Sequence, residues 1–360
     1  MEAYFNRATL YNAVQTVSGA LNVRAPRPSL QCVHFSAKKK EVLASATDLR
    51  IAIRQSISPN KVVREGDAAV QGARLGALLR ELTDDEVRLK IDEKSASVLA
   101  GSSSFKLVAQ DPADFAELPK PGKSTLNVAR GVFEELVRRT IFATAQEQGR
   151  YAIDGVSIKV EDGKMEMAAT DGRRLAVASA EAPGKLGQCV VPPKMLSEIA
   201  RHAADAEEIG LEVAKGRLVA RARETLVAGA LLEGSFPVYM DMVPPRAEPT
   251  IKIRASALAL KLRQASQLTS EDSRAVVMIP SKNALRVEAK SAGVGEARVE
   301  MEAIYDGPEL SVAFNARYLL DVLPEFGDDE IEIEIPAADR PAVIRREGYV
   351  YVLAPVKVSA

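Results

Sequence analysis

The apolar positions of this chain keep two periods, and the periods alternate in a fixed order. Leu10, Ala13, Val14, Val17 and Leu21 recur at helical spacing, which predicts an amphipathic helix of about three turns. A loop follows from Asn22 to Pro28, where the prolines interrupt any regular ladder. Val33 and Phe35, Val42 to Ser45 and Ile51 to Ile57 then carry the two-residue period of strands, with Lys38-Lys39-Lys40 as a turn. Leu75, Leu78, Leu79 and Leu82 predict a second helix over 74–82. Val87, Leu89 and Ile91, then Ser97 to Leu99, then Phe105 to Val108 supply further strands before a proline-rich stretch that ends at Pro121-Gly122.

The same order returns twice. A helix over 132–143 aligns Phe133, Leu136, Val137 and Ile141, a polar loop runs from Gln146 to Tyr151, and a strand is predicted at 153–160. Pro192-Pro193-Lys194 opens another helix, since proline suits a first turn, and strands at 211–213, 218–223 and 226–232 precede Phe236-Pro237. The third pass predicts helices at 255–268 and 318–326, with alternating strands around and after them to Val358. The second helices begin near 74, 194 and 317. Repetition at a domain-sized interval signals a duplicated fold. The chain therefore reads as α+β, with three repeated two-helix, antiparallel-sheet domains at 1–121, 122–247 and 248–360.

One turn stands out. Met165, Met167 and Ala169 alternate before Thr170-Asp171-Gly172, and Leu175 and Val177 resume the alternation after Arg173-Arg174. Asp-Gly between two strands is a strong hairpin signal, so two guanidinium groups are expected beside a tight turn. Ala46-Thr47-Asp48-Leu49-Arg50 repeats the Ala-Thr-Asp-x-Arg core 123 residues earlier. Taken alone the hairpin reads as a solvated surface turn; the echo ties it to the duplication.

Length, 360 residues, exceeds what one core holds and agrees with several domains. Charged residues at 27% and hydrophobic ones at 47% describe an ordinary soluble protein. No apolar run reaches membrane length and no signal-like leader opens the chain, so a cytoplasmic home is expected. Cys32 and Cys189 are far apart, as are His34 and His202, and neither pair has metal or nucleophile spacing. There is no glycine-rich phosphate loop, His-Glu-x-x-His, Gly-x-Ser-x-Gly or Cys-x-x-Cys. No catalytic residue, metal or cofactor is expected, and a binding or scaffold protein is favoured. The net charge of −1 leaves nucleic acid open, because a basic patch can be balanced elsewhere.

Gln15-Thr16-Val17-Ser18-Gly19, Ala46 to Leu49, Ala169 to Val177, Phe236-Pro237, Tyr318 to Leu323 and Tyr351 to Lys357 fall in one order along the three units. In them the chain resembles, over essentially its full length, the β subunit of bacterial DNA polymerase III, the sliding clamp family. The resemblance implies three similar units forming half of a ring, and a homodimer closing around double-stranded DNA without reading its sequence. Helices would line the hole and sheets the outside. Phe105 and Leu107 match one interface strand, and Gln267 with Leu268 its counterpart. Arg24, Arg74, Gln148, Arg150, Tyr151, Lys194, Lys261 and Arg317 are the implied DNA contacts. The implied groove comprises Ile153, Thr170, Gly172, Arg173, Arg174, Leu175, Pro237, Asp241, Met242, Val352, Leu353, Ala354, Pro355 and Val356. It would receive short linear peptides of the polymerase III catalytic subunit, the clamp loader, other polymerases and repair proteins. Arg173, Asp241 and Ala354 replace residues more usual there, as Gln267 does at the interface. The rival reading is an enzyme on the triplicated scaffold, with Asp171, Arg173 and Arg174 on a phosphorylated ligand.

Overall fold

Each of the six α-helices among the described residues is entered straight from a short strand. The computed structural model describes the whole chain except residues 93, 116–121, 123, 146–153, 235, 271–273, 292 and 358–360. In the first unit β1 (Glu2–Asn6) runs into α1 (Arg7–Ser18). Then come β2 (Cys32–Lys38), β3 (Glu41–Thr47), β4 (Ile51–Ile57), β5 (Lys61–Arg64) and β6 (Gly66–Gln71), which runs into α2 (Gly72–Glu81). The unit closes with β7 (Glu86–Ile91), β8 (Ser95–Ala100) and β9 (Ser103–Gln110). The second unit has β10 (Leu126–Ala129) and α3 (Arg130–Thr140), then β11 (Val156–Glu161), β12 (Lys164–Thr170), β13 (Arg174–Glu181) and β14 (Leu186–Val191). It ends with α4 (Pro193–His202), β15 (Glu208–Ala214), β16 (Arg217–Ala222) and β17 (Thr225–Ala230). The third has β18 (Thr250–Arg254), α5 (Ala255–Ser266), β19 (Ala275–Ser281), β20 (Ala284–Ser291), β21 (Gly295–Glu302) and β22 (Ile304–Tyr305). Its second half is β23 (Val312–Asn315), α6 (Ala316–Val322), β24 (Glu330–Glu334), β25 (Ala342–Arg346) and β26 (Tyr349–Leu353).

The strands that lead into helices are the elements the sequence pattern missed. At four to six residues, β1, β10, β14, β18 and β23 show too few alternations to stand out. At two of the junctions the extended residue before the helix also caps it: Asn6 Oδ1 accepts from the Thr9 amide at 3.1 Å, and Asn315 Oδ1 from the Arg317 amide at 2.9 Å. Three predicted helix ends also shorten. Residues 141–143 and 323–326 are 3₁₀ turns, and α5 stops at Ser266 rather than 268.

The helices pack in pairs, α1 on α2, α3 on α4 and α5 on α6, against one face of the sheets. Leu10, Val14, Leu75, Phe133, Leu196, Leu258 and Leu319 are buried there in one continuous core. The sheets do not respect unit boundaries. β17 of the second unit pairs antiparallel with β4 of the first, and β26 of the third pairs with β13 of the second. Thirteen strands form one sheet and nine a second, and β19, β20, β21 and β23 make a four-stranded third with β21 at its edge.

Candidate functional site at the joint of the second and third units

The Thr170–Arg174 turn is built by its side chains. Thr170 Oγ1 donates to the Arg174 carbonyl at 2.6 Å and accepts from the Gly172 amide at 3.1 Å. Asp171 Oδ1 accepts from the amides of Arg173 and Arg174 at 2.9 and 3.0 Å. Gly172 takes the left-handed conformation, φ 82°, so aspartate serves as acceptor and glycine as the bend. The same four bonds recur in the first unit, made by Thr47 and Asp48 at 2.8 to 3.0 Å. There Leu49 holds the left-handed position at φ 73°.

The two arginines have different fates. Arg173 is exposed, as expected of a turn. Arg174 was expected beside it and instead lies buried on the helix side of the sheet. Its Nε lies 3.1 Å from Asp171 Oδ2, its Nη1 donates to Asp321 Oδ2 at 2.6 Å, and its Nη2 donates to the Phe142 carbonyl. The guanidinium also sits 4.3 Å from the centre of the Tyr318 ring. Leu353, directly paired with Arg174, turns into the main core for the same reason of strand period. Both residues, expected to line a groove, lie instead beneath the outer face of the joint, and the buried Thr170 is committed to the turn.

On the opposite, outer face the joint is apolar. Leu175 faces Val352 and Val177 faces Val350 across the two units. Ala168, Val190 and Val343 extend this patch, and Phe236 and Tyr239 fold over it edge to face, ring centres 5.6 Å apart. The Tyr239 hydroxyl donates to Glu166 and fixes the lid segment. Beyond Tyr239, a 3₁₀ turn at 240–242 leaves Met240 63% and Met242 43% exposed beside Asp241, also exposed. Half-buried Pro237 lies on this segment. On the other side the chain after β26 stays on the turn, the Ala354 amide donating to the Arg173 carbonyl at 2.9 Å, and Pro355 and Val356 are half-buried. Gly172, Arg173, Leu175, Pro237, Met242, Val352, Ala354, Pro355 and Val356 thus belong to one outer surface. Ile153 lies outside the described residues. Val177, Val350 and Tyr239 were not singled out from sequence, although the first two stand two residues from Leu175 and Val352 on the same face.

The joint of the first and second units repeats this geometry with other chemistry. Ala230 donates to the Arg50 carbonyl at 3.3 Å as Ala354 does to Arg173. The row Ala168–Val177–Val350 is replaced by Ser45–Arg54–Leu226, with His34 beside Ser45 and stacked on Phe115 at 4.7 Å. One joint is therefore greasy on its outer face and the other is polar.

Among the residues expected to meet DNA, Arg24, Arg74, Lys194 and Arg317 are exposed and Lys261 is half-exposed. Arg74, Lys194 and Arg317 occupy the first turns of α2, α4 and α6, and Lys261 lies in α5. Lys194 is not free: its Nζ donates to Asp48 Oδ2 at 2.7 Å and ties α4 to the first unit's turn. Gln148, Arg150 and Tyr151 lie outside the described residues. Phe105 and Leu107 sit on β9, exposed and half-buried, and Leu268 packs so that a Cβ at Gly295 would stand 3.8 Å from its Cδ2. Gln267 is exposed. Cys32 and Cys189 are buried thiols, pushed up to about 11 by burial. Among the described residues no cluster of three or more His, Cys, Asp or Glu could hold a metal.

Three α+β units sharing sheets across two joints, helices all on one side, define a clamp-type scaffold. Family models for the DNA polymerase III beta subunit match in order: N-terminal domain over 1–119, central domain over 127–238 and C-terminal domain over 240–356. The beta sliding clamp of Chlamydia muridarum is 27% identical over 351 residues, covering 96% of this chain and 95% of that one. That of Pseudomonas putida is 26% identical over 367 residues, covering 99% and 100%. Among solved structures, the DNA polymerase III subunit beta from Pseudomonas aeruginosa superposes with a TM-score of 0.93 at 26% identity, covering 99% of this chain and 100% of that one. A sliding clamp from Bartonella birtlesii bound to griselimycin gives 0.93 at 26% identity with the same coverage. The chain belongs to the DNA polymerase III beta subunit family: it is a sliding clamp, a non-catalytic processivity subunit.

Proposed function

We propose that two copies of this chain close head to tail into a ring around duplex DNA. The supporting observation is which strands remain unused. Each internal joint pairs the last strand of one unit, β17 or β26, with the strand after the Thr-Asp turn of the unit before it, β4 or β13. The equivalent strands left over are β9 of the first unit and β21 of the third. β9 meets β6 only at Ala109 and Gln110, so residues 103–108 have one open edge, and β21 ends its sheet. An open strand edge is a template for pairing with another chain. Two such contacts related by a two-fold close the assembly and stop growth at two. Phe105 and Leu107 would meet the β21 edge beside Leu268 and Gln267, with Lys106 facing a strand that carries Glu296, Glu300 and Glu302.

The helices would then face DNA. Arg24, Arg74, Lys261 and Arg317, with Gln148, Arg150 and Tyr151, would supply contacts to phosphate without base recognition, Lys194 being held by Asp48. The apolar outer joint would receive short linear peptides of the polymerase III catalytic subunit, the clamp loader, other polymerases and repair proteins, its buried patch giving affinity and main-chain groups the pose. Among the described residues no helix is long and apolar enough to cross a membrane, and a replicative role would keep the protein in the cytoplasm beside the replication machinery. After loading by the cognate clamp loader, the protein should stay on nicked circular DNA and be released when the circle is linearised. Equal retention on both would overturn the ring.

A further inference from the structure

Beside the apolar joint lies a cavity of about 670 Å³ between β14 and the tip of the β15–β16 hairpin. The chain leaving β17 forms one wall: the Leu231 amide donates to the Gly216 carbonyl and the Leu232 amide to the Val190 carbonyl, both at 2.9 Å. Val190 and Phe236 line the cavity and also belong to the apolar patch of the joint, against which Leu232 packs. Phe236 therefore stands between the two, with the joint on one side and the cavity on the other.

The remaining wall is charged. Lys215 and Arg217 stand at the hairpin tip, where Lys215 and Gly216 are both left-handed at φ 51° and 70°. Both cations are exposed, and neither has an ion pair or side-chain hydrogen bond among the described residues. Glu233 stands on the connecting wall. A bound carboxylate is thus drawn to the hairpin and repelled from the connecting segment, which fixes its direction.

We propose that this cavity is an extension of the peptide-docking surface and that it selects partners whose apolar motif is flanked by acidic side chains. The inference rests on the groove reading above. Apolar burial at the joint gives the bulk of the affinity; Lys215 and Arg217 rank partners by the charge of the flank.

Synthetic peptides with two leucines and a phenylalanine as anchors, flanked on one end or the other by three aspartates, three asparagines or three lysines, are titrated onto the full-length protein. One of the two aspartate peptides should bind about fivefold tighter than its asparagine counterpart in low salt, and the advantage should shrink as salt rises. In the double variant Lys215→Glu, Arg217→Glu the preference should reverse toward lysine, with the asparagine peptide unchanged. Both positions are exposed, so folding is preserved, and unfolding profiles check it. Equal binding of all flanks by the wild type overturns this inference and leaves the groove standing. Failure of every peptide to bind overturns both.

Discussion

Arg174 shows how much one residue can hold when burial and charge coincide. Its guanidinium joins Asp171 of the second unit, Asp321 of the third and the Phe142 carbonyl, with only 4% of its side chain exposed. Removing it strands two carboxylates at the joint. Arg174→Ala should cost about 3 kcal/mol, read as a lowered first transition in thermal unfolding, because breaking a buried pair leaves its partner uncompensated. Arg173→Ala, one residue away and exposed, should move that transition little. The left-handed site of the turn gives a second contrast. Gly172→Leu should cost about 1 kcal/mol at φ 82°, whereas Leu49 already bears that strain at φ 73° and Leu49→Gly should not destabilise. Gly19 is held to glycine by its surroundings, since a Cβ there would stand 2.3 Å from Glu198 Oε2, a carboxylate fixed by His202 and Arg201.

Between elements, the two internal joints share strand pairing but use different side chains, so they should respond differently to acid. α4 binds the first unit through Lys194–Asp48, and its last turn is braced by Glu198–His202. Burial pushes the Asp48 carboxyl up, but the Ile51 amide and Lys194 outweigh it and hold it below its ordinary value. The His202 hydrogen bond holds Glu198 down against burial. Groups depressed in the folded state stabilise fully above their unfolded values, near 3.8 and 4.5, and lose that contribution as pH falls through the folded ones. Hydrogen exchange at the β4–β17 amides should therefore quicken below about pH 3.8, where Asp48 begins to lose its contribution, relative to the same amides in a Lys194→Met variant; an acid response unchanged by that substitution would remove the ion pair from the account. At the other joint, Met242→Ala should weaken polymerase and clamp-loader peptides together by about 1–3 kcal/mol in titration, with dimer mass unchanged. Peptide affinity that survives the change would put the docking groove elsewhere.

Over the whole molecule, a net charge of −1 has to coexist with the proposed attraction to DNA. Many helix cations are already committed: Arg138 to Glu325, Arg139 to Glu135, Arg201 to Glu198 and Lys194 to Asp48. Arg74 and Arg317, in equivalent first turns, make no ion pair among the described residues and are the better candidates for phosphate. Replacing each by alanine should flatten the plot of log affinity against log salt by about 0.9 for each phosphate no longer neutralised, with no change in sequence preference. At the proposed ring joint, Leu268→Glu should shift sedimentation toward monomer, because it sets an unpaired charge beside the β21 edge. A variant that remains dimeric at low concentration would exclude that surface.

Whatever repeats locally was legible in the sequence. Helical and strand periods, the two Thr-Asp turns and the spacing of the second helices announced three α+β units, because hydrophobic periodicity and turn chemistry act within a few residues. The motifs carried the family. Pairing between units became visible only in the folded molecule. That β4 accepts β17 and β13 accepts β26 is a choice among edges that no local pattern encodes. The same pairing sent Arg174 and Leu353 beneath the sheet while leaving Leu175 and Val352 on its outer face, since register assigns every side chain to one side or the other. It also spent Lys194 on Asp48, 146 residues away, an attraction that exists only once the two units are in contact.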